Sequence, residues 1–261
     1  IGRVVFTATS PLFIDTYGKN RATGGFILID PASNHTAAAG IVIDREPPDS
    51  LPSRIAGMEP VVASLVHHQS LIRQRERIER WRQKPATIWI TGLVGAGKTK
   101  IAYALEKKLF DLGAVCMVLD GENVRLGINR ELDFSAEGRG ENIRRVAEIA
   151  RLANESGIMA ICAFVSPSAA IRAQAAEIVG SARFFEVFAG ASAEWCEKRD
   201  KTGLYAKARR GEIKNFAGVN APYDIPASPA IALPVEEIST AEAVNRILTF
   251  LRSKGVFPSH A

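Results

Sequence analysis

Apolar positions after about residue 85 follow two alternating patterns. Short, largely apolar runs occur at Ala86–Thr91, Ala114–Leu119, Ile158–Phe164 and Phe184–Phe188. Between them, apolar residues return every three or four places. This happens in Lys100–Leu109, in Glu141–Glu155 (through Ile143, Val146, Ala147, Ala150 and Ala153), from Glu194–Arg199, and in Ala241–Leu251. The first pattern suits strands covered on both faces, and the second suits amphipathic helices. Their alternation predicts an α/β fold, a parallel sheet flanked by helices. Ligands of such sheets bind at the carboxyl ends of the strands. The loops after Ile90, Leu119, Phe164 and Phe188 are therefore expected to surround a site.

The beginning of the chain reads differently. Gly25–Asp30 and Ala39–Ile43 look like strands joined by a turn, Pro47–Ser53 like a linker, and the stretch from about Pro60 to Lys84 like a charged helical lead-in. The expected organisation is a β-rich segment over residues 1–45, a linker and lead-in over 46–84, and an α/β domain over 85–257. The chain opens on Ile1 directly into strand-like Arg3–Phe6, so a fragment of something longer is expected.

Composition narrows the function. Apolar residues make up 47% of the 261, enough for a full core. Cys116, Cys162 and Cys196 have no paired spacing and read as reduced thiols of a cytoplasmic protein. No apolar run reaches the roughly 20 residues of a membrane span. No secretory signal is visible. The net charge of +5, partly in Arg73–Arg82, comes with no nucleic-acid motif, so small anions are the expected partners.

One motif gives those anions a chemistry. Gly92-Leu93-Val94-Gly95-Ala96-Gly97-Lys98-Thr99 fits G-x-x-x-x-G-K-[ST] between a strand and a helix. Glycines let the backbone curl so that several N–H groups face one phosphate, and the helix N-terminus adds positive potential. Lys98 would reach the outer phosphates and Thr99 would hold magnesium. Asp120, at the next strand end, either serves that chemistry (orienting magnesium through water, or taking a proton from an attacking hydroxyl) or caps a short helix. Arg125 adds a cation on the same rim. Arg139 and Asn142, three apart, share one side of a helix start. Phe134 either stacks on a base or joins the core. Ser166, before Pro167, is a cap or an acceptor contact. Arg199–Arg209 reads as a basic mobile lid or a surface helix. Asn215–Val219 with Pro222-Tyr223 reads as an irregular stretch with exposed aromatics, suited to clamp a base.

Taken in order, these residues resemble adenylylsulfate kinases. The resemblance covers about residues 60–256. It rests on Gly92–Thr99, Leu119–Arg125, Phe134-Ser135, Glu141–Arg145, Phe164–Pro167, Arg199-Asp200, Gly203–Tyr205 and Gly211–Phe216. It implies a P-loop kinase that moves the γ-phosphate of ATP, with magnesium, to the 3′-hydroxyl of adenosine 5′-phosphosulfate (APS). It also implies roles. Lys98, Asp120 and the lid lysine Lys201 are catalytic, Arg199 joins the phosphate loop on ATP, and Asp120 lies by the 3′-hydroxyl. Arg125, Arg139 and Asn142 hold the phosphosulfate, Phe134 and Phe216 sandwich the adenine, and Asn123, Val165, Ser166 and Leu204 complete the APS site. The chain departs from the family pattern at Val94, Ala96, Lys100, Gly138, Gly190 and Thr202. Gly138 stands where an acidic residue is usual, and Thr202 where the lid lysine is usual.

Lys19–Asp30 and Ala38–Gly40 resemble the end of the large, GTP-binding subunit of bacterial sulfate adenylyltransferase. That implies a partial antiparallel β-barrel segment ahead of the kinase, a bifunctional full-length protein and a small-subunit partner. A homodimer is also implied. Two other readings compete: a kinase of another small hydroxylated metabolite, and a non-catalytic APS-binding module.

Overall fold

The computed structural model describes residues 17–18, 20–21, 25–29, 35–42, 68 and 70–257. The strand expected at Arg3–Phe6, the linker Pro47–Ser53 and the lead-in from Pro60 to residue 67 lie outside the described residues. The chain divides into two units, residues 1–67 and 68–261.

In the first unit, β1 (Gly25–Ile29) pairs antiparallel with β2 (Thr36–Ile41). The register runs from Gly25 opposite Ile41 to Leu28 opposite Ala38, then shifts before Ile29.

The second unit begins with α1 (Gln74–Trp81), where the helical lead-in was expected. It continues with β3 (Thr87–Thr91), α2 (Lys98–Asp111), β4 (Cys116–Asp120), α3 (Gly121–Leu126) and α4 (Ala136–Glu155). Next come β5 (Met159–Ala163), α5 (Ala169–Val179), β6 (Phe184–Gly190), α6 (Ala193–Lys198) and α7 (Leu204–Arg209). β7 (Ile231–Pro234) and α8 (Thr240–Ser253) close it. The strands form one parallel sheet in the order β4-β5-β3-β6-β7.

β3 lies in the middle, and all five of its residues are buried. Alternation sends Ile88 and Ile90 into a core with Ile101, Leu105 and Leu109 of α2 and Ile247 and Leu251 of α8. Trp89 faces the other way, into a core with Val146 and Ala150 of α4 and Ala175 and Ile178 of α5. Its ring stacks on Phe164 at 5.6 Å. The result is three layers, helix–sheet–helix.

Helix starts follow a common device. Ser135, Ser168, Ser192 and Ser239 cap α4, α5, α6 and α8, each hydroxyl accepting the backbone N–H three residues on. Helix α2 differs. It starts on Gly97, in left-handed backbone at φ +83°, with no side-chain cap. Its first N–H groups therefore point at the loop instead.

The amino ends of the strands are tied together. Gln83 donates to the carbonyls of Val115 (2.8 Å) and Gly157 (3.0 Å) and accepts from Val115 N–H (2.7 Å). Arg77 of α1 donates to the Ser156 carbonyl at 3.2 Å, and Lys84 N–H to the Val256 carbonyl at 2.6 Å.

Candidate active site

The phosphate loop joins the carboxyl end of β3 to α2. Gly92 allows the chain to leave the sheet, because a β-carbon there would lie 2.5 Å from the Ala189 carbonyl oxygen of β6. Gly95 and Gly97 both take positive φ, +85° and +83°, which turns successive N–H groups inward. Lys98 is 8% exposed, and its ammonium donates to the Leu93 carbonyl at 2.7 Å across the loop. Burial lowers its pKa to about 8, while Cys196, Asp120 and Glu122 push it back up.

Asp120 ends β4, two strands away from β3 in the sheet. The helix-cap reading of it is seen, and the same carboxylate also reaches the phosphate loop. One carboxylate oxygen caps α3, accepting from Glu122 N–H (3.0 Å) and Asn123 N–H (3.4 Å). The other accepts the Thr99 hydroxyl at 2.7 Å. Thr99 and Asp120 thus present hard oxygen donors side by side, the kind magnesium takes together with water and phosphate. Among the described residues no group of three or more His, Cys, Asp or Glu could hold a metal by itself.

Around this centre lie the remaining candidates. Arg125 of α3 donates to the carbonyls of Leu132 (2.8 Å) and Asp133 (3.0 Å), and its guanidinium lies 4.2 Å from the Phe134 ring. Phe134 is 62% exposed, so it stands outside the core. Arg139 donates to the Asn215 carbonyl. Burial, and then the neighbouring Arg125, lower the Arg139 pKa. Asn142 is buried and accepts from Asn129 at 2.9 Å, and exposed Asn123 donates to the Tyr103 hydroxyl at 2.8 Å. Arg199 stacks on Trp195 at 4.5 Å, and Lys201 is exposed. Leu204 is half-buried at the start of α7, and Val165 is half-buried after β5.

Two expectations are corrected. Ser166 is no helix cap; that role belongs to Ser168. Its hydroxyl is enclosed, accepting from Trp89 Nε1 at 3.1 Å and donating to Thr91 at 2.9 Å, in a residue 2% exposed. Its backbone sits at φ +36°, held by Arg172, which donates to the Ser166 carbonyl at 2.9 Å. The aromatics after Asn215 are not exposed either. Phe216 is buried edge-on against Tyr205 at 4.9 Å, and Tyr223 is half-buried with its hydroxyl 2.9 Å from Thr91. Thr91 gave no motif signal, because its partner Ser166 lies 75 residues on in the chain. Arg172 gave none because it is a lone arginine in an alanine-rich helix, though it reaches both Ser166, six residues back, and Asp224, 52 residues on.

A phosphate loop on the central strand of a parallel sheet, with a carboxylate beside its threonine, defines a P-loop phosphotransferase. The adenylylsulphate kinase family profile matches residues 84–234. The chain belongs to that family. Residues 1–43 match the profile of the GTP-eEF1A C-terminal domain-like family. An adenylyl-sulfate kinase of Bacteroides thetaiotaomicron is 48% identical over 184 residues, 70% of this chain and 92% of that protein. The bifunctional enzyme CysN/CysC of Rhodopirellula baltica is 40% identical over 98% of this chain but only 39% of its own length. The chain therefore spans about two fifths of that relative. Among solved structures, the Mycobacterium tuberculosis APS kinase CysC in complex with AMPPNP and APS superposes with a TM-score of 0.62 at 40% identity. That match covers 65% of this chain and 99% of the other.

Proposed function

We propose that this chain transfers the γ-phosphoryl group of ATP to the 3′-hydroxyl of APS, giving ADP and 3′-phosphoadenosine 5′-phosphosulfate, in sulfate activation. The observation that carries the reading is the 2.7 Å contact between Thr99 of the phosphate loop and Asp120. It brings the donor's phosphate cradle and a proton acceptor to one point. The loop N–H groups and Lys98 hold the β- and γ-phosphates. Magnesium, held through Thr99, would neutralise phosphate charge. Asp120 orients the 3′-hydroxyl and accepts its proton as the oxygen attacks phosphorus and the bond to ADP breaks.

Burial, and after it Arg125, disfavour the charge on Arg139, and an anion beside the pair would offset both. The phosphosulfate has that charge, with Asn142 beside the two arginines, and Asn123, Val165, Ser166 and Leu204 would complete the rest of the APS site. The exposed face of Phe134 offers the adenine a stacking surface. Arg199 and Lys201 bring cations to the transferring group. In the full-length protein the same reading includes a sulfate adenylyltransferase small subunit, a homodimer and a cytoplasmic setting. The three unpaired cysteines fit the last, and among the described residues no helix is long and apolar enough to cross a membrane.

The test is ADP release with ATP, magnesium and APS, run beside Lys98→Ala. APS-dependent release that falls at least about a hundredfold in the variant is expected. Release without APS, or equal release with other small alcohols, rejects the acceptor. APS binding with no release leaves a binding module.

A further inference from the structure

Helix α4 opens on Ser135, whose hydroxyl accepts Gly138 N–H at 3.0 Å. The usual completion of such a start is a carboxylate or amide at the third helical residue, which accepts the capping residue's own N–H. Here that residue is Gly138, which has no side chain. The Ser135 N–H goes to Asp133 Oδ1 at 3.0 Å instead, and the Ser135 hydroxyl donates to the same oxygen at 2.6 Å. The exchange is spatial as well as chemical. A β-carbon on Gly138 would collide with the Asp133 carboxylate and lie 2.7 Å from the Asp133 carbonyl oxygen. Gly138 lies within the helix itself, and its backbone does not take positive φ. Its lack of a side chain makes room for Asp133.

The same turn carries the groups assigned to the acceptor. The Leu132 and Asp133 carbonyls take the two hydrogen bonds of Arg125, and Phe134, between Asp133 and Ser135, stacks on that guanidinium. We propose that Asp133 is a positioning residue for the acceptor nucleotide. Its carboxylate replaces the side chain that Gly138 lacks, and so fixes the turn that aims Arg125 and Phe134. This rests on the acceptor reading given above.

The experiment compares melting temperatures and kinetics of the unmodified chain with Asp133→Ala, Asp133→Asn, Asp133→Gly, Gly138→Asp and the double variant Asp133→Gly/Gly138→Asp. Gly138→Asp alone is expected to lower the melting temperature by roughly 2–4 °C, the size of one lost cap in a domain of this length. In the Asp133→Gly background, where the carboxylate contact is gone and only the contact with the backbone carbonyl remains, the same substitution should lower it by clearly less. Asp133→Ala should raise KM for APS roughly tenfold while kcat and KM for ATP stay within about threefold. Asp133→Asn, whose amide oxygen accepts the same bonds, should restore KM. Equal effects of Gly138→Asp in both backgrounds overturn the proposal, as does a parallel rise of both KM values. If the unmodified chain shows no APS-dependent ADP release, the kinase reading fails. The melting comparison then still upholds or refutes the replaced cap.

Discussion

Lys98 is a charged side chain held where charge is costly. Its folded pKa of about 8 lies below the 10.5 of an unfolded chain. The folded state therefore binds this proton less tightly, so the group destabilises the fold below pH 8. That penalty fades as pH rises from 8 towards 10.5. Its upper bound is about 3 kcal/mol, from the free energy of one pKa unit. Lys98→Met should therefore raise the melting temperature at pH 7 while abolishing turnover. A bound triphosphate supplies the missing counter-charge and raises the pKa. Near pH 8, ATP binding should take up a fraction of a proton, and affinity should fall as pH climbs further. Calorimetry in two buffers of different ionisation enthalpy reads the uptake; equal apparent enthalpies would contradict it. Lys98 and Thr99 were legible in the sequence because the motif is local. The environment of Ser166 was not. Its burial depends on Trp89, Thr91 and Arg172, and Phe216 is hidden by Tyr205, contacts that no spacing announces.

At the level of elements, α7 shows how a short helix is kept. Six residues are too few to be stable alone. Asp200 holds the start: one oxygen accepts from Thr202 N–H (2.8 Å), the Thr202 hydroxyl (2.6 Å) and Gly203 N–H (3.1 Å), and the other from Tyr205 N–H (2.8 Å). Tyr205 is then buried and donates its hydroxyl to the Val94 carbonyl of the phosphate loop at 2.7 Å. Asp200→Ala should loosen α7 and this link together. Tryptic cleavage at Lys201 or Lys207 should speed up roughly fivefold, the population change that about 1 kcal/mol gives. An unchanged cleavage pattern would mean that packing alone holds the helix. The strands β3, β4, β5 and β6 and helix α4 were readable because the strands are mostly apolar and the helix is long. β7 was not read, as its four residues end on Pro234 and follow Pro226 and Pro229. Nor was α5, an alanine-rich segment with little contrast between its faces. Helix α7 was read only as one of two options, since its basic face gave no apolar stripe.

For the whole chain, the unit from residue 68 onward has its own sheet, two cores and every candidate residue. A protein comprising residues 68–261 should melt cooperatively and keep kcat and both KM values within about threefold of the full chain, as independent domains do. Loss of activity with intact melting would show that the first unit shapes the site. The candidate residues gather at the carboxyl ends of β3, β4 and β5. Residues 74–84 and the turn at Val256, by contrast, are tied to the amino ends, through Arg77 on Ser156, Gln83 on Gly157 and Lys84 on Val256. Both of these segments therefore lie beneath the sheet, on the side away from the candidate site. Such a domain is portable. Its first and last described turns both leave the path of nucleotide exchange clear.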